Sequence, residues 1–482
     1  MATLHTDVAI IGAGTAGMGA YRAALAYTSR VLLIEAGAYG TTCARVGCMP
    51  SKLLLAAADA AHGAQQAAAF GVHAAPVRID GPAVMHRVRE ERDRFVGFVT
   101  DAVERWPAEH QLHGRAHFID GHTLQVDGEA GSTRVEAARI VIATGARPAL
   151  PLEWRASLGD RLLINDDVFS WQTLPRSLAV VGAGVIGLEL AQALHRLGVR
   201  VRLYARGPQV GPLTDPALQA LAAREFAAAL PLSLGVTALT PRREGDQVVV
   251  QALTDGVMHE ERFDALLAAT GRRPNVDQLG LAQSGLPLDL AGVPQFDRRT
   301  AQIGQSSVFI AGDAASDRPL LHEAADEGRI AGDNAGRYPD VRAHPRRTPL
   351  AVVFSDPQIA LAGHSHAELV AAGTDFETGR VSFEDQGRSR VMLKNRGALH
   401  VYGEHDSGRF LGAEMLGPAA EHLGHLLAWS AQRGDTVQQM LDSPFYHPVI
   451  EEGLRSALRD LRRSLRMGPA PVPQCLDCGP GG

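Results

Sequence analysis

The chain has 482 residues, 45% of them hydrophobic and 21% charged, with a formal net charge of −6. At roughly 100–200 residues per domain this length allows two to four domains and a sizeable core, so no cysteine is needed as a staple. The charge balance excludes the basic face of a nucleic-acid binder, and no uninterrupted apolar run approaches the ~20 residues of a membrane span, which leaves a small-molecule or protein partner.

The opening residues, MATLHTDVAIIGAG, enter a strand pattern at once, without a basic leader or cleavable apolar segment. A cytoplasmic protein is expected, a setting where paired cysteines more often do redox chemistry or bind metal than form lasting disulfides. The stretch DVAIIGAGTAGMGAYRAAL then runs from a buried-strand pattern through Gly12, Gly14 and Gly17 into a helix, and RVLLIEAG follows with Glu35 at the end of the next strand. Glycines allow the tight turn and the approach of a pyrophosphate to the helix N-terminus, and an acid about 20 residues on can accept from ribose hydroxyls.

Next comes TTCARVGCMPSK, with Cys43 and Cys48 five positions apart in a chain of four cysteines. Cys48 precedes a run of strong helix formers, with Pro50 suited to a first helical position, so Cys48 is expected at a helix N-terminus. The helix dipole there, aided by Arg45 and Lys52 if they are close, favours a thiolate. A disulfide closing so short a loop would contribute only ~2 kcal/mol by chain entropy, little for this chain, so a redox pair is preferred over a staple. A metal site would need further ligands, which Cys475, Cys478 and the histidines could supply, and this stays open as a minor alternative with no metal ligand assigned. Of the 47 basic residues only Lys52 and Lys394 are lysine. Arginine therefore serves wherever a generic positive charge suffices, and Lys52 is expected to be kept for its compact ammonium.

The strand IVIATGARP (140–148) enters a Thr-Gly turn, and ALLAATGRRPN (265–275) repeats it. Between them, SLAVVGAGVIGLELAQALHRLGVRVRLYARG repeats the phosphate-binding device with Gly182, Gly184 and Gly187, offset by 170 residues from the first. Two dinucleotides are expected. The second strand ends in Tyr204-Ala205-Arg206 without an acid, which leans towards NADP over NAD. SSVFIAGDAAS adds a further strand ending at Asp313, RYPDVRAHPRRTP reads as a linker, and the last 15 residues, GPAPVPQCLDCGPGG, as a tail carrying Cys475 and Cys478. A nicotinamide gives up a hydride, a disulfide takes two electrons, and a flavin mediates between them, so one dinucleotide should be FAD. The cysteines follow the first glycine loop closely, which places the flavin at Gly12–Gly17 and Glu35 and the NAD or NADP at Gly182–Gly187.

With these residues in view, the chain from residue 5 to about 466 resembles the FAD-dependent pyridine nucleotide-disulfide oxidoreductases, most of all the dihydrolipoyl dehydrogenases. The resemblance rests on Cys-x4-Cys with Pro50-Ser51-Lys52, GLELA, VFIAGDAA, VVFSDPQIALAG and YHPVIEEGL. It implies an α/β fold of two Rossmann-like dinucleotide-binding domains plus a C-terminal α+β dimerisation domain, as in glutathione reductase. The implied boundaries are 1–150 with 271–340 for FAD, 151–270 for NAD(P), 345–466 for dimerisation, and a tail at 467–482. It also implies that Lys52 lies at flavin N5 paired with Glu189, that Asp313 sits on the ribityl side, and that Thr42, Thr144, Gly145 and Gly271 are cofactor-binding positions. Cys43 becomes the exchange thiol that meets substrate and Cys48 the thiolate that meets the flavin. His447 becomes an acid/base oriented by Glu452 that reaches the disulfide of the other subunit, hence a homodimer.

The expected activity is that of a dihydrolipoyl dehydrogenase, taking electrons from a lipoyl-bearing acyl-carrier protein or small dithiol. An NADPH-dependent disulfide or metal-ion reductase using Cys475 and Cys478 as a relay is the alternative, and a non-catalytic flavoprotein scaffold is a third reading. Three departures from the family pattern stand out. Arg45 replaces the usual asparagine between the cysteines, Ala205-Arg206 replaces the glutamate of NAD-using members, and the tail pair resembles in arrangement that of large thioredoxin reductases.

Overall fold

The computed structural model describes residues 2–73 and 75–467. The chain begins with strand β1 (Ala2–Ile11), helix α1 (Thr15–Ala24) and strand β2 (Val31–Glu35), the last parallel to β1. Two helices around the cysteines follow, α2 (Thr42–Val46) and α3 (Cys48–Gln66), then α4 (Gly81–Glu104). Strands β3 (Gln111–His113), β4 (Arg115–Phe118), β5 (Thr123–Gly128) and β6 (Gly131–Ile142) complete a sheet of order β3-β2-β1-β6-β5-β4. Val8–Ile11 and Val31–Ile34 are buried without alternation, as parallel strands covered on both faces must be.

The strand β7 (Ala146–Pro148) leads into the second unit, which comprises α5 (Leu152–Leu158), β8 (Leu162–Leu163), α6 (Asn165–Val168), β9 (Ser177–Val181), α7 (Val185–Arg196), β10 (Arg200–Tyr204), α8 (Pro216–Ala229) and β11 (Leu232–Ser233). An antiparallel ribbon of β12 (Ala238–Glu244), β13 (Gln247–Thr254) and β14 (Val257–Phe263) precedes β15 (Ala265–Ala268), and β16 (Arg272–Pro274) leads back out. Its parallel sheet runs β11-β10-β9-β15-β8. The chain leaves and re-enters the first unit side by side, because β7 and β16 pair antiparallel and Asn275 Nδ2 donates to Thr144 O at 3.0 Å. Thus the two Thr-Gly turns are neighbours in space.

Beyond it, β17 (Val308–Ile310) joins the first sheet alongside Ile140–Ile142, and α9 (Leu321–Arg337) packs on α1. Two glycines four residues apart make that packing close. A Cβ on Gly328 would lie 2.1 Å from Ala16 O and one on Gly332 2.2 Å from Ala20 O, so the backbones touch. The rest is a five-stranded antiparallel sheet of β18 (Leu350–Val353), β19 (Gln358–Gly363), β20 (Phe376–Ser382), β21 (Ala398–Glu404) and β22 (Phe410–Gly417), in the order β18-β19-β22-β21-β20. Helices α10 (His366–Ala371), α11 (Gly387–Val391), α12 (Ala420–Arg433), α13 (Val437–Leu441) and α14 (Glu451–Ser464) surround it, over a core that includes Phe383, Val401, Met415, Leu423 and Leu458.

A buried polar anchor ties this sheet to the second unit. Glu414, fully buried on β22, accepts from Thr214 N (2.6 Å), Thr214 Oγ1 (2.5 Å), Asp215 N (3.1 Å) and His366 N (2.8 Å). Asp215 caps α8 through Ala217 N and pairs with His400 Nδ1 at 2.7 Å. Among the described residues no helix is long and apolar enough to cross a membrane.

Candidate functional site

The two glycine-rich loops have one geometry. Gly12 and Gly182 turn at φ +107° and +115°, a left-handed conformation that a side chain would strain. A Cβ on Gly17 would lie 1.8 Å from Gly12 O, and one on Gly187 1.9 Å from Gly182 O, so the third glycine lets each helix abut its own turn. Gly14 and Gly184 instead face open space at the helix N-termini, where backbone N–H groups and the macrodipole await an anion. Glu35 accepts from Ala13 N (2.7 Å) and Gly37 N (2.8 Å), which holds a carboxylate at the rim of the first loop. At the same position in the second loop Ala205 is buried and Arg206 is exposed.

The cysteine turn is two helices in series. Thr41, buried, caps α2 by accepting from Ala44 N at 3.1 Å, while Thr42 is exposed as the first helical residue. Helix α3 begins at Cys48 itself, so Pro50 is its third residue rather than its first. A missing N–H is equally harmless there, since first-turn donors have no intrahelical acceptor. The two thiols lie within reach of each other. Interaction with Cys43, together with the Lys52 charge, brings the Cys48 thiol down to about 6 against the effect of burial, and the same interaction with burial pushes Cys43 upward. The pair is therefore asymmetric, with Cys48 the more acidic thiol. Among the described residues no group of three metal-ligating side chains forms here or elsewhere.

Lys52, on the first turns of α3, donates to Glu189 Oε2 at 2.7 Å and lies 4.7 Å from the centre of the Phe354 ring. Glu189 is 3% exposed, and its other oxygen accepts from Phe354 N at 2.9 Å. The site thus joins the first unit, the second and the C-terminal one. Arg45 does not join it. Its guanidinium donates to Ala38 O (3.2 Å) and its stem lies on Gly40, so the charge that lowers Cys48 comes from Lys52. In place of Arg45, Asn165 supports the turn: buried on α6, it donates to Val46 O at 3.0 Å, between the two cysteines. Nothing in its sequence context marked it.

On the other side of the first loop, Asp313 sits in the turn after β17, with its carboxyl pushed up by burial and Arg272 Nε 3.9 Å away. The turn meets α1 because Gly312 has no side chain, and Glu327 Oε2 accepts from Gly312 N at 2.8 Å. Gly145 and Gly271 turn at φ +68° and +115° beside Thr144, whose buried hydroxyl has no partner. An orphaned hydroxyl, an open helix N-terminus and a rim carboxylate in one place fit a bound dinucleotide. His447 lies far along the chain, its side chain 62% exposed and its Nδ1 3.0 Å from both oxygens of the buried Glu452, which Arg455 also holds at 3.1 Å. It makes no hydrogen bond with Cys43 or Cys48 of its own chain. Cys475 and Cys478 lie outside the described residues.

Two nucleotide loops, a thiol pair between them and an antiparallel C-terminal sheet define a flavin-dependent disulfide oxidoreductase. Residues 6–328 match the pyridine nucleotide-disulphide oxidoreductase family and residues 350–458 its dimerisation domain, and the chain belongs to that family. The family is FAD-dependent with NAD(P)H as its pyridine nucleotide, and the match to its dimerisation domain supports a homodimer. A dihydrolipoyl dehydrogenase of Haloferax volcanii is 31% identical over 467 residues, covering 94% of this chain and 95% of that one. A mercuric reductase of Shigella flexneri is 32% identical, covering 95% of this chain and 81% of that one. Among solved structures, LpdA of Mycobacterium tuberculosis superposes with a TM-score of 0.81 at 25% identity, covering 96% of this chain and all of that one (100%).

Proposed function

We propose that the chain is a cytoplasmic homodimeric enzyme of the dihydrolipoyl dehydrogenase type, oxidising a dihydrolipoyl dithiol and reducing NAD(P)+. The observation that carries this reading is the placement of Cys43 on α2 and Cys48 at the start of α3, on the same helix as the Lys52 that pairs with buried Glu189. Residues 1–150 with 271–340 form the FAD-binding domain, with Gly12, Gly14, Gly17, Glu35, Thr42, Thr144, Gly145 and Asp313 at the cofactor. Residues 151–270 bind the nicotinamide coenzyme through Gly182, Gly184, Gly187 and Arg206, next to Gly271, and 345–466 form the dimer. FAD supplies the two-electron step that joins a dithiol to a nicotinamide.

The chain's own residues do the rest. His447 of a second copy takes a proton from the substrate dithiol, held for that task by Glu452. The substrate thiolate attacks Cys43 of the disulfide, and the Cys43–Cys48 bond breaks with its electron pair on Cys48. The second substrate thiol then displaces Cys43, releasing the cyclic disulfide and leaving a Cys43 thiol and a Cys48 thiolate. Lys52 stabilises that thiolate, and Glu189 holds Lys52 in place.

A second reading, an NADPH-dependent disulfide or metal-ion reductase, is supported by Arg206 standing exposed where NAD-using members carry an acid, and by the mercuric reductases among the relatives. One assay separates the two: turnover of dihydrolipoamide by the FAD-loaded protein with NAD+ and with NADP+, against reduction of glutathione disulfide or Hg(II) with NADPH. Dihydrolipoamide turnover with either coenzyme supports the first reading. Its absence alongside reduction of the disulfide or metal overturns it, and no turnover in any arm leaves a scaffold role.

A further inference from the structure

One face of α7 carries Glu189, Gln192 and Arg196, spaced three and four residues apart as one helical stripe requires. All three are withdrawn from solvent: Glu189 is 3% and Gln192 1% exposed, and the Arg196 side chain 9%. On α3, Lys52 and Asp59 repeat the seven-residue spacing of Glu189 and Arg196. The helices meet at both ends of that interval. Lys52 Nζ donates to Glu189 at 2.7 Å, and Arg196 NH1 donates to Asp59 at 2.8 Å. The cation is on α3 at one end and on α7 at the other, so sliding either helix by a turn breaks both pairs.

The segment 354–356 lies across this junction. Phe354 N donates to Glu189 Oε1 (2.9 Å), Asp356 N donates to Gln192 Oε1 (2.7 Å), Gln192 Nε2 donates to Asp356 O (2.8 Å), and Arg196 NH2 donates to Asp356 Oδ2 (2.6 Å). Gln192 thereby satisfies both backbone groups of one residue, where water cannot replace it. Around the far end stand His62 of α3 and, on the other side of Asp356, Lys394 and Arg396, the last 3.6 Å from Asp356 Oδ1. Around Cys48 the charged and titratable groups are Cys43 on α2, Lys52 on its own helix and Glu189 on α7.

The Glu189 carboxylate is divided between Lys52 and the Phe354 N–H. Once the 354–356 segment shifts, that N–H is withdrawn and the full carboxylate charge falls on Lys52, weakening the ammonium's field at Cys48. We infer that Gln192 and Arg196 are positioning residues: by holding α7 and the 354–356 segment in register with α3, they keep the Lys52 ammonium where it acts on the Cys48 sulfur. This rests on the proposed reading of Cys48 as the thiolate of the pair.

The test is the pH midpoint of the long-wavelength thiolate-to-flavin charge-transfer absorbance in the two-electron-reduced, FAD-loaded protein. Gln192→Leu and Arg196→Met are expected to raise that midpoint by about one unit, weakening the band several-fold at mildly acidic pH, and Arg196→Lys to restore most of it. A midpoint unmoved in variants that melt below the parent overturns the positioning role and leaves the thiolate reading intact. An ordinary thiol midpoint in the parent protein overturns both. Where the first two variants do not fold, Asp59→Asn, at the 62% exposed end of the second pair, carries the same expected direction.

Discussion

Replacing Lys52 with methionine keeps most of the side-chain volume on α3 and removes one charge. Side chains four residues apart on a helix are ~6 Å from each other, and at an effective dielectric of ~20 a unit charge at that distance is worth about 3 kcal/mol. Cys48 is exposed and the Lys52 side chain is 33% exposed, so solvent screening cuts this to roughly 1.5 kcal/mol, or about one pKa unit. The buried Glu189 left without its cation acts in the same direction, since a carboxylate there repels the thiolate. The thiolate-to-flavin charge-transfer absorbance of the reduced, FAD-loaded protein, followed against pH, should move its midpoint from about 6 to about 7 or slightly above. Lys52→Arg, which keeps the charge, should leave the midpoint near its parent value. A midpoint that stays put in Lys52→Met, or moves equally in Lys52→Arg, would refute the assignment of Lys52 as the source of the field.

His447→Ala is expected to lower dihydrolipoamide turnover by roughly 10²–10⁴-fold, with flavin content unchanged, measured by steady-state kinetics. Arg206→Glu should shift the ratio of kcat/KM for NADP+ over NAD+ by at least about tenfold towards NAD+, because a carboxylate accepts from a ribose 2′-hydroxyl and repels a 2′-phosphate. Asp215 would be raised by burial, but the hydrogen bond and charge of His400 and two α8 N–H groups bring it down to about 2. A carboxyl lowered in the folded state stabilises above its unfolded value near ~4, and that stability, about 2 kcal/mol, is lost as pH falls towards 2. Asp215→Asn should therefore melt about 2 °C lower at neutral pH, from roughly 1 kcal/mol/K of unfolding entropy for a chain of this length, and show a flatter decline in melting temperature between about pH 4 and about pH 2.5.

The phosphate loops were legible because their chemistry is local. A strand, three glycines at fixed spacing and a helix define the turn through backbone sterics alone, and both copies adopt the same φ and the same sub-2 Å exclusion of a Cβ at the third glycine. Cys43, Cys48 and Lys52 were legible for the same reason, being neighbours on consecutive helical turns. Arg45 illustrates the limit: sequence proximity suggested a charge beside the thiols, yet its side chain turns to the Ala38 carbonyl. Gly328 and Gly332 are another limit: only their contact with the α1 backbone at Ala16 and Ala20 shows why a side chain is excluded there.

The amino-acid sequence by itself determined the fold class, the two glycine-rich strand–turn–helix loops and the family, because each is signalled by residues within a few turns of one another. The resemblance already pointed to Glu189 as the partner of Lys52, 137 residues away, and the structure brings the two together. Tertiary structure alone decided that the Phe354 N–H shares that carboxylate and that Asn165 holds the turn between the cysteines. It also left His447 exposed beside the buried Glu452. Hydrogen-bond partners of buried groups are chosen by which backbones the packing brings together, and that choice is not encoded in any local pattern.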